Sequence, residues 1–145
     1  IENQPVIFAE VGDQSEVGAL YHTGNEHYEA ERYHEAIRCY EAALKLAPNN
    51  AIACNNLALI LATCPESCYR HGTRARELSI RACNLTNNDD WKFLSIRAAA
   101  EAECGDFITA IEYAKLAESK APFERRIDIE RMLEQLQSKK PYRWP

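Results

Sequence analysis

Small residues recur in step along this chain: Ala36 and Ala43, then Ala75 and Ala82, then Ala110 and Ala117. Each pair is seven residues apart, two turns along one face of a helix. Each is preceded by another small residue, at Gly24, Ala58 or Ala98. A helix that is small at such a spot lets a neighbour come unusually close. Repeated at near-constant intervals, the pattern dictates a stack of helical hairpins, since one such unit cannot bury its apolar face alone.

From Gly24 to Ala58 is 34 residues, the period of the tetratricopeptide repeat, whose pattern W-x2-L-G-x2-Y…A-x3-F…P can be laid over the sequence. The first repeat reads Leu20, Thr23, Gly24 and His27, then Ala36, Tyr40 and Pro48. The run RYHEAIRCYEAALKLAPNN, residues 32–50, resembles the second helix and exit turn of that family. The second repeat keeps Leu57, Ala58, Leu61, Ala75 and Ala82, but has Ser79 for the paired aromatic and Asn87 for the closing proline. The third reads Leu94, Ala98, Gly105-Asp106-Phe107, Ala110, Ala117 and Pro122. The resemblance covers 17–122. It implies an all-α fold, a right-handed α-α superhelix (TPR solenoid) of three helical hairpins, 17–50, 51–89 and 90–122, plus a C-terminal capping helix.

Caps and breakers place seven helices, at about 15–30, 33–46, 50–62, 73–85, 90–104, 107–120 and 123–137, the first with Ser15 as N-cap and the second stopped by Pro48. The polar stretch 63–72, with its proline and glycine, lengthens the second repeat. The last helix carries Ile127, Met132, Leu133 and Leu136 along one side, which suits a cap over 123–138. A short basic and aromatic tail, 139–145, follows. Segment 1–16 has no leader pattern; because Ile1 is not a start methionine, it reads as cut from a longer protein. Its apolar run at 5–9 reads either as the remnant of a preceding element or as a segment lying across a groove, a route to self-association.

Composition sets limits. In 145 residues, 46% apolar and 27% charged, there is enough apolar side chain for an ordinary folded domain. A net charge of −5 argues against nucleic acid as the main partner, because phosphate binding needs a basic face. No apolar run is long enough to span a membrane. Charge is uneven: residues 1–50 carry nine acidic and three basic side chains, residues 122–145 four and six.

No catalytic constellation is visible, so no enzyme activity and no cofactor is expected. Cys64, Cys68 and His71 fall within eight residues of one another and could be read as ligands. The plainer reading is a loop stapled by Pro65, with Cys64 packed under the end of a helix. Cys54 and Cys83 stand where the repeat buries a large apolar residue, and free cysteine is a common buried hydrophobe. The six cysteines therefore read as thiols in a reducing, cytoplasmic compartment, with pairing of Cys64 and Cys68 left open. The carboxylates Glu101, Glu103, Asp89 and Asp90 read as exposed helix surface and helix N-terminal charge.

Function then falls to the surface. In the resembled family the first helix of each hairpin lines a concave groove that takes an extended peptide or a partner helix. The groove positions carry over to Tyr21, His22, Asn25, Tyr28 and Glu29, then Ile52, Asn55, Asn56, Leu59 and Thr63, then Lys92, Ser95, Ile96, Ala99 and Glu103. Asparagines are poor helix formers, so Asn55-Asn56 are either kept to bond a partner's backbone or tolerated on an open surface. Some members hold acidic chaperone tails in a clamp of two lysines, two asparagines and an arginine. Here Asn25, Asn56 and Lys92 match, while Tyr21 replaces a lysine and Ile96 the arginine, which removes most of the attraction to a carboxylate. Two readings follow: a non-enzymatic protein–protein interaction module or scaffold with a protein or peptide partner, and a regulatory or docking domain of a larger enzyme.

Overall fold

The computed structural model describes residues 15–143. Residues 1–14 and 144–145, and with them the apolar run at 5–9, lie outside the described residues. The elements are α1 (Glu16–Glu29), α2 (Tyr33–Leu46), α3 (Ala51–Thr63), α4 (Gly72–Leu85), α5 (Trp91–Glu103), α6 (Phe107–Lys120) and α7 (Arg126–Gln137). Short 3-10 turns at Ser67–Tyr69 and Phe123–Arg125 complete the order. No strand occurs among the described residues.

Each boundary has a local cause. Ser15, Asn50 and Asp106 accept a hydrogen bond from the backbone N–H three residues on, at 2.9–3.0 Å, and open α1, α3 and α6. Asp90 does the same for Lys92 at 2.9 Å and opens α5. The imidazole Nδ1 of His71 accepts from Arg74 N–H and opens α4. A lost cap of this kind costs about 1 kcal/mol. Helix α2 starts without a side-chain cap, because its N-cap residue is Arg32, whose side chain has no acceptor; Glu31 just before it turns the chain in the left-handed region at φ 58°. The matching turn of the third hairpin uses Gly105 at φ 85°, where the absence of a Cβ removes the strain.

Helices α1 and α2, α3 and α4, and α5 and α6 pack as hairpins; α3 also packs on α2 and α5, and α7 closes the row on α6. The small residues sit at the contacts: Ala36, Ala43, Ala58, Ala75, Ala82, Ala98, Ala110 and Ala117 are fully buried. The closest approach is at Gly24, where a Cβ would lie 2.6 Å from Tyr40 Cε1. Glycine is required there because the Tyr40 ring fills the space. Ser79, which replaces the repeat's aromatic, is buried and bonds the Arg76 carbonyl through its hydroxyl.

Three expectations are corrected. The apolar stripe of α7 is Ile129, Met132, Leu133 and Leu136, while Ile127 is half exposed, because at 3.6 residues per turn it lies on the face opposite Leu136. Glu101 is not surface: it is 2% exposed and held by Arg76 of α4 and Arg97 of α5, each guanidinium Nε at 2.7 Å. Two guanidiniums around one carboxylate compensate its desolvation, and Arg97 is further seated 4.5 Å over the Tyr113 ring. Glu103 is likewise only partly exposed and ion-paired with Arg70 and Arg143. Asp90 and Asp89 do behave as helix-terminal and surface charge, the first as a cap and the second paired with Lys120.

Candidate functional site: the face of helices α1, α3 and α5

The fifteen residues selected from the sequence fall on α1, α3 and α5, and most of them are covered. Tyr21, Asn25, Ile52, Asn55, Asn56, Leu59, Thr63 and Ala99 are buried; His22, Tyr28, Lys92, Ser95, Ile96 and Glu103 are partly exposed; Glu29 is exposed. The reading of Asn55-Asn56 as tolerated on an open surface is therefore corrected. From Ile52 to Cys64 every residue of this helix and its cap is buried.

The polar members of the face are mostly satisfied from within. Asn25 Oδ1 accepts from Tyr40 Oη at 2.6 Å and from Asn56 Nδ2 at 2.9 Å, so one buried amide ties α1, α2 and α3 together. Thr63 and Ser95 donate to the carbonyls four residues back, Leu59 and Trp91. Asn55 differs. It is 1% exposed, and among the described residues neither its nitrogen nor its oxygen has a hydrogen-bond partner, an arrangement that native proteins rarely leave without purpose.

Aromatic rings gather at one end of this face. Tyr28 meets Tyr33 edge-on at 6.0 Å, and Tyr33 meets Tyr69 of the loop between α3 and α4 at 6.0 Å. Burial pushes the Tyr28 phenol well above its ordinary range, so it is a neutral hydrogen-bonding group. Tyr21 and His22, on the same helix, meet at 4.8 Å with their rings tilted by 42°.

The sequence reading missed the chain's own tail. Tyr142 packs against the core and, with Leu59, Trp91, Ile96, Ile129 and Met132, lines a small, mainly apolar pocket between α3, α5 and α7, to which Lys92, Arg125 and Asp128 add charge. Arg125 extends over the Trp91 ring at 5.5 Å and bonds Asp128 at 3.0 Å beside it. Arg143 Nη1 reaches the carbonyl of Ala62 at 3.4 Å and the Glu103 carboxylate at 2.6 Å. Arg70 shares Glu103 at 3.5 Å and also bonds the carbonyls of Cys64 and Pro65. The basic, aromatic character of 139–145 was legible; its destination was not.

The loop cysteines do not converge. Cys64 is buried, Cys68 is exposed, and the Nδ1 of His71 is taken up in capping α4. Among the described residues no three metal-ligating side chains come together, and all six cysteines are free thiols. Burial raises the thiols of Cys54 and Cys64 and pushes that of Cys83 up to about 11, which disfavours the thiolate that nucleophilic chemistry needs. No helix among the described residues is long and apolar enough to cross a membrane.

In sequence, residues 24–63 match the family model of the TPR repeat. No curated protein matches the chain. Among solved structures the chain is similar to the first TPR domain of Spaghetti (RPAP3), bound there to the HSP90 peptide SRMEEVD, with a TM-score of 0.69 and 21% identity over 87% of this chain and 94% of that one. At such identity the likeness is one of fold. Residues 24–63 are accordingly a tetratricopeptide repeat, and the chain as a whole has the tetratricopeptide-repeat fold.

Proposed function

We propose that this protein is a non-catalytic protein–protein interaction module, and that it binds an extended segment of a partner across α1, α3 and α5. The observation that carries the reading is the position of Tyr142 and Arg143, a non-helical stretch of polypeptide seated on that face by one side chain packed against the core and one on a carboxylate. A surface that accepts its own tail in this way has the anchor pocket and the polar rim that segment recognition uses. Two further facts support it. The similar RPAP3 domain is bound to a peptide, and Asn55 carries a buried amide with unused donor and acceptor capacity, suited to a backbone N–H and C=O.

The test is a peptide library panned against the wild-type chain, with each selected peptide measured by titration calorimetry on Tyr28→Ala, Asn55→Ala and Glu112→Ala. Loss of a hydrogen bond to a desolvated backbone costs about 1–3 kcal/mol. Binding should weaken by that amount for the first two and hold for Glu112→Ala, which lies on the exposed face of α6. Peptides indifferent to the first two changes would place the interaction elsewhere on the molecule.

A further inference from the structure

The similar RPAP3 domain holds an acidic peptide, and the set of cations for such a peptide is incomplete here, with Lys92 kept. Of the cations that hold a carboxylate in such a clamp, Tyr21 and Ile96 stand in place of two. What the face offers at the tail is acceptors. Ala62 lies in the last turn of α3, and Glu103 is the last residue of α5. Both belong to helix C-terminal ends, where unsatisfied carbonyls carry negative partial charge and favour a cation. Arg143 bridges these two ends, while the neighbouring Tyr142 packs against the core and forms one wall of the pocket between α3, α5 and α7. Arg70 already shares Glu103, but at 3.5 Å against 2.6 Å for Arg143, so the closer contact to this carboxylate is the one a ligand would take over.

We propose that this face selects partner segments in which an aromatic residue is followed by arginine, and that Tyr142–Arg143 occupies the place of that segment until a partner displaces it. The inference deepens the interaction-module reading and rests on it. An occupant tethered a few residues beyond α7 acts at a high effective concentration, in the millimolar range for a short link, so a free segment of the same chemistry competes poorly with it. Removing the tail's two anchors removes that competition.

The test uses the full chain and two fluorescent probes: the amidated hexapeptide SKKPYR, copied from residues 138–143, and SRMEEVD, the peptide of the RPAP3 domain. Titrations compare the wild type, the double variant Tyr142→Ala/Arg143→Ala, and the single variant Arg143→Glu, which opposes Glu103 and leaves every helix intact. Circular dichroism melts accompany each. The double variant should bind SKKPYR about tenfold or more tighter than the wild type does, Arg143→Glu should shift in the same direction, and both should prefer SKKPYR to SRMEEVD. Adding Glu103→Gln to the double variant should cut SKKPYR binding about tenfold, because the ion pair with arginine is lost. Equal binding of SKKPYR by wild type and opened variants, or no binding by any, overturns the proposal. Tighter binding of SRMEEVD overturns the aromatic-arginine preference while leaving the interaction-module reading in place.

Discussion

Helices α3 and α6 differ in a way that apolar content alone does not explain. In α3 every residue from Ile52 to Thr63 is buried, the polar Asn55, Asn56 and Thr63 included, whereas α6 buries Ala110, Ala114 and Ala117 and leaves Ile108 77% exposed. The middle first helix of a stack touches α2, α4 and α5 and meets the chain's tail at its C-terminal end, at Leu59 and Ala62. An outer second helix meets its hairpin partner and α7 and shows water the rest. Position in the stack, more than side-chain polarity, decides what is covered, and the small residues are common to both helices because both must let a neighbour approach.

The largest effect is expected where the closest approach is made. Tyr40→Ala removes a buried ring that fills the space over Gly24 and bonds Asn25, and should cost about 3–5 kcal/mol in urea unfolding; a loss below about 1 kcal/mol would mean that the α1–α2 contact is not held by this ring.

Overpacking the inner helix comes next. Ala58→Leu should cost about 1–3 kcal/mol by calorimetric melting, since Ala58 is fully buried. The same measurement on Ile108→Ser in α6 should stay within about 0.5 kcal/mol. If the two changes behaved alike, the contrast between inner and outer helices would fail.

Adjacent asparagines sharpen the comparison within α3. Asn56→Leu removes a donor from the network with Asn25 and should destabilise by about 1 kcal/mol. Asn55→Leu replaces an amide that has no partner and should instead leave stability unchanged or raise it by about 1 kcal/mol, while weakening peptide binding. Opposite signs one residue apart would show that Asn55 serves a partner and Asn56 the fold. Equal losses would mean that Asn55 is bonded within the folded chain.

The smallest effect concerns the tail. Burial first, and the charge of Asp128 second, push the Tyr142 phenol up to about 12, with Arg131 opposing, against about 10 for an unfolded chain. The protonated phenol is the form that docks. Its contribution is complete below pH about 10 and is lost as the pH rises toward about 12. An ultraviolet titration of the wild type minus that of Tyr142→Phe should show one late-titrating phenol in that window. A difference curve centred near pH 10 would mean that the tail is not seated.

Much of the fold was legible because helix ends are set locally. Tyr33–Leu46 and Phe107–Lys120 begin and end where the pattern placed them, and the other five α-helices lie within one to three residues of it. Ser15, Asn50, Asp90 and Asp106 bond backbone N–H groups two or three residues away, so their role needs no distant partner. The error at Ile127 was one of helical phase, since Ile129, Met132, Leu133 and Leu136 share a spacing of three and four residues that Ile127 does not. Glu101 and Glu103 were misread for another reason. A carboxylate's charge is a property of the residue, but the guanidiniums that bury it come from positions 25 and four residues away in one case and from the loop and the tail in the other.

The sequence by itself determined that the chain forms hairpins, how long each helix is, and which small residues stand at the contacts, because periodicity, caps and side-chain volume act over a few residues. The state of the face of α1, α3 and α5 was decided only in three dimensions. Asn25 and Asn56 are 31 residues apart, and Ala62 and Arg143 are 81 apart. Whether such groups meet each other, water or a partner depends on where the stack carries them, and no local rule of backbone or side chain reports that distance.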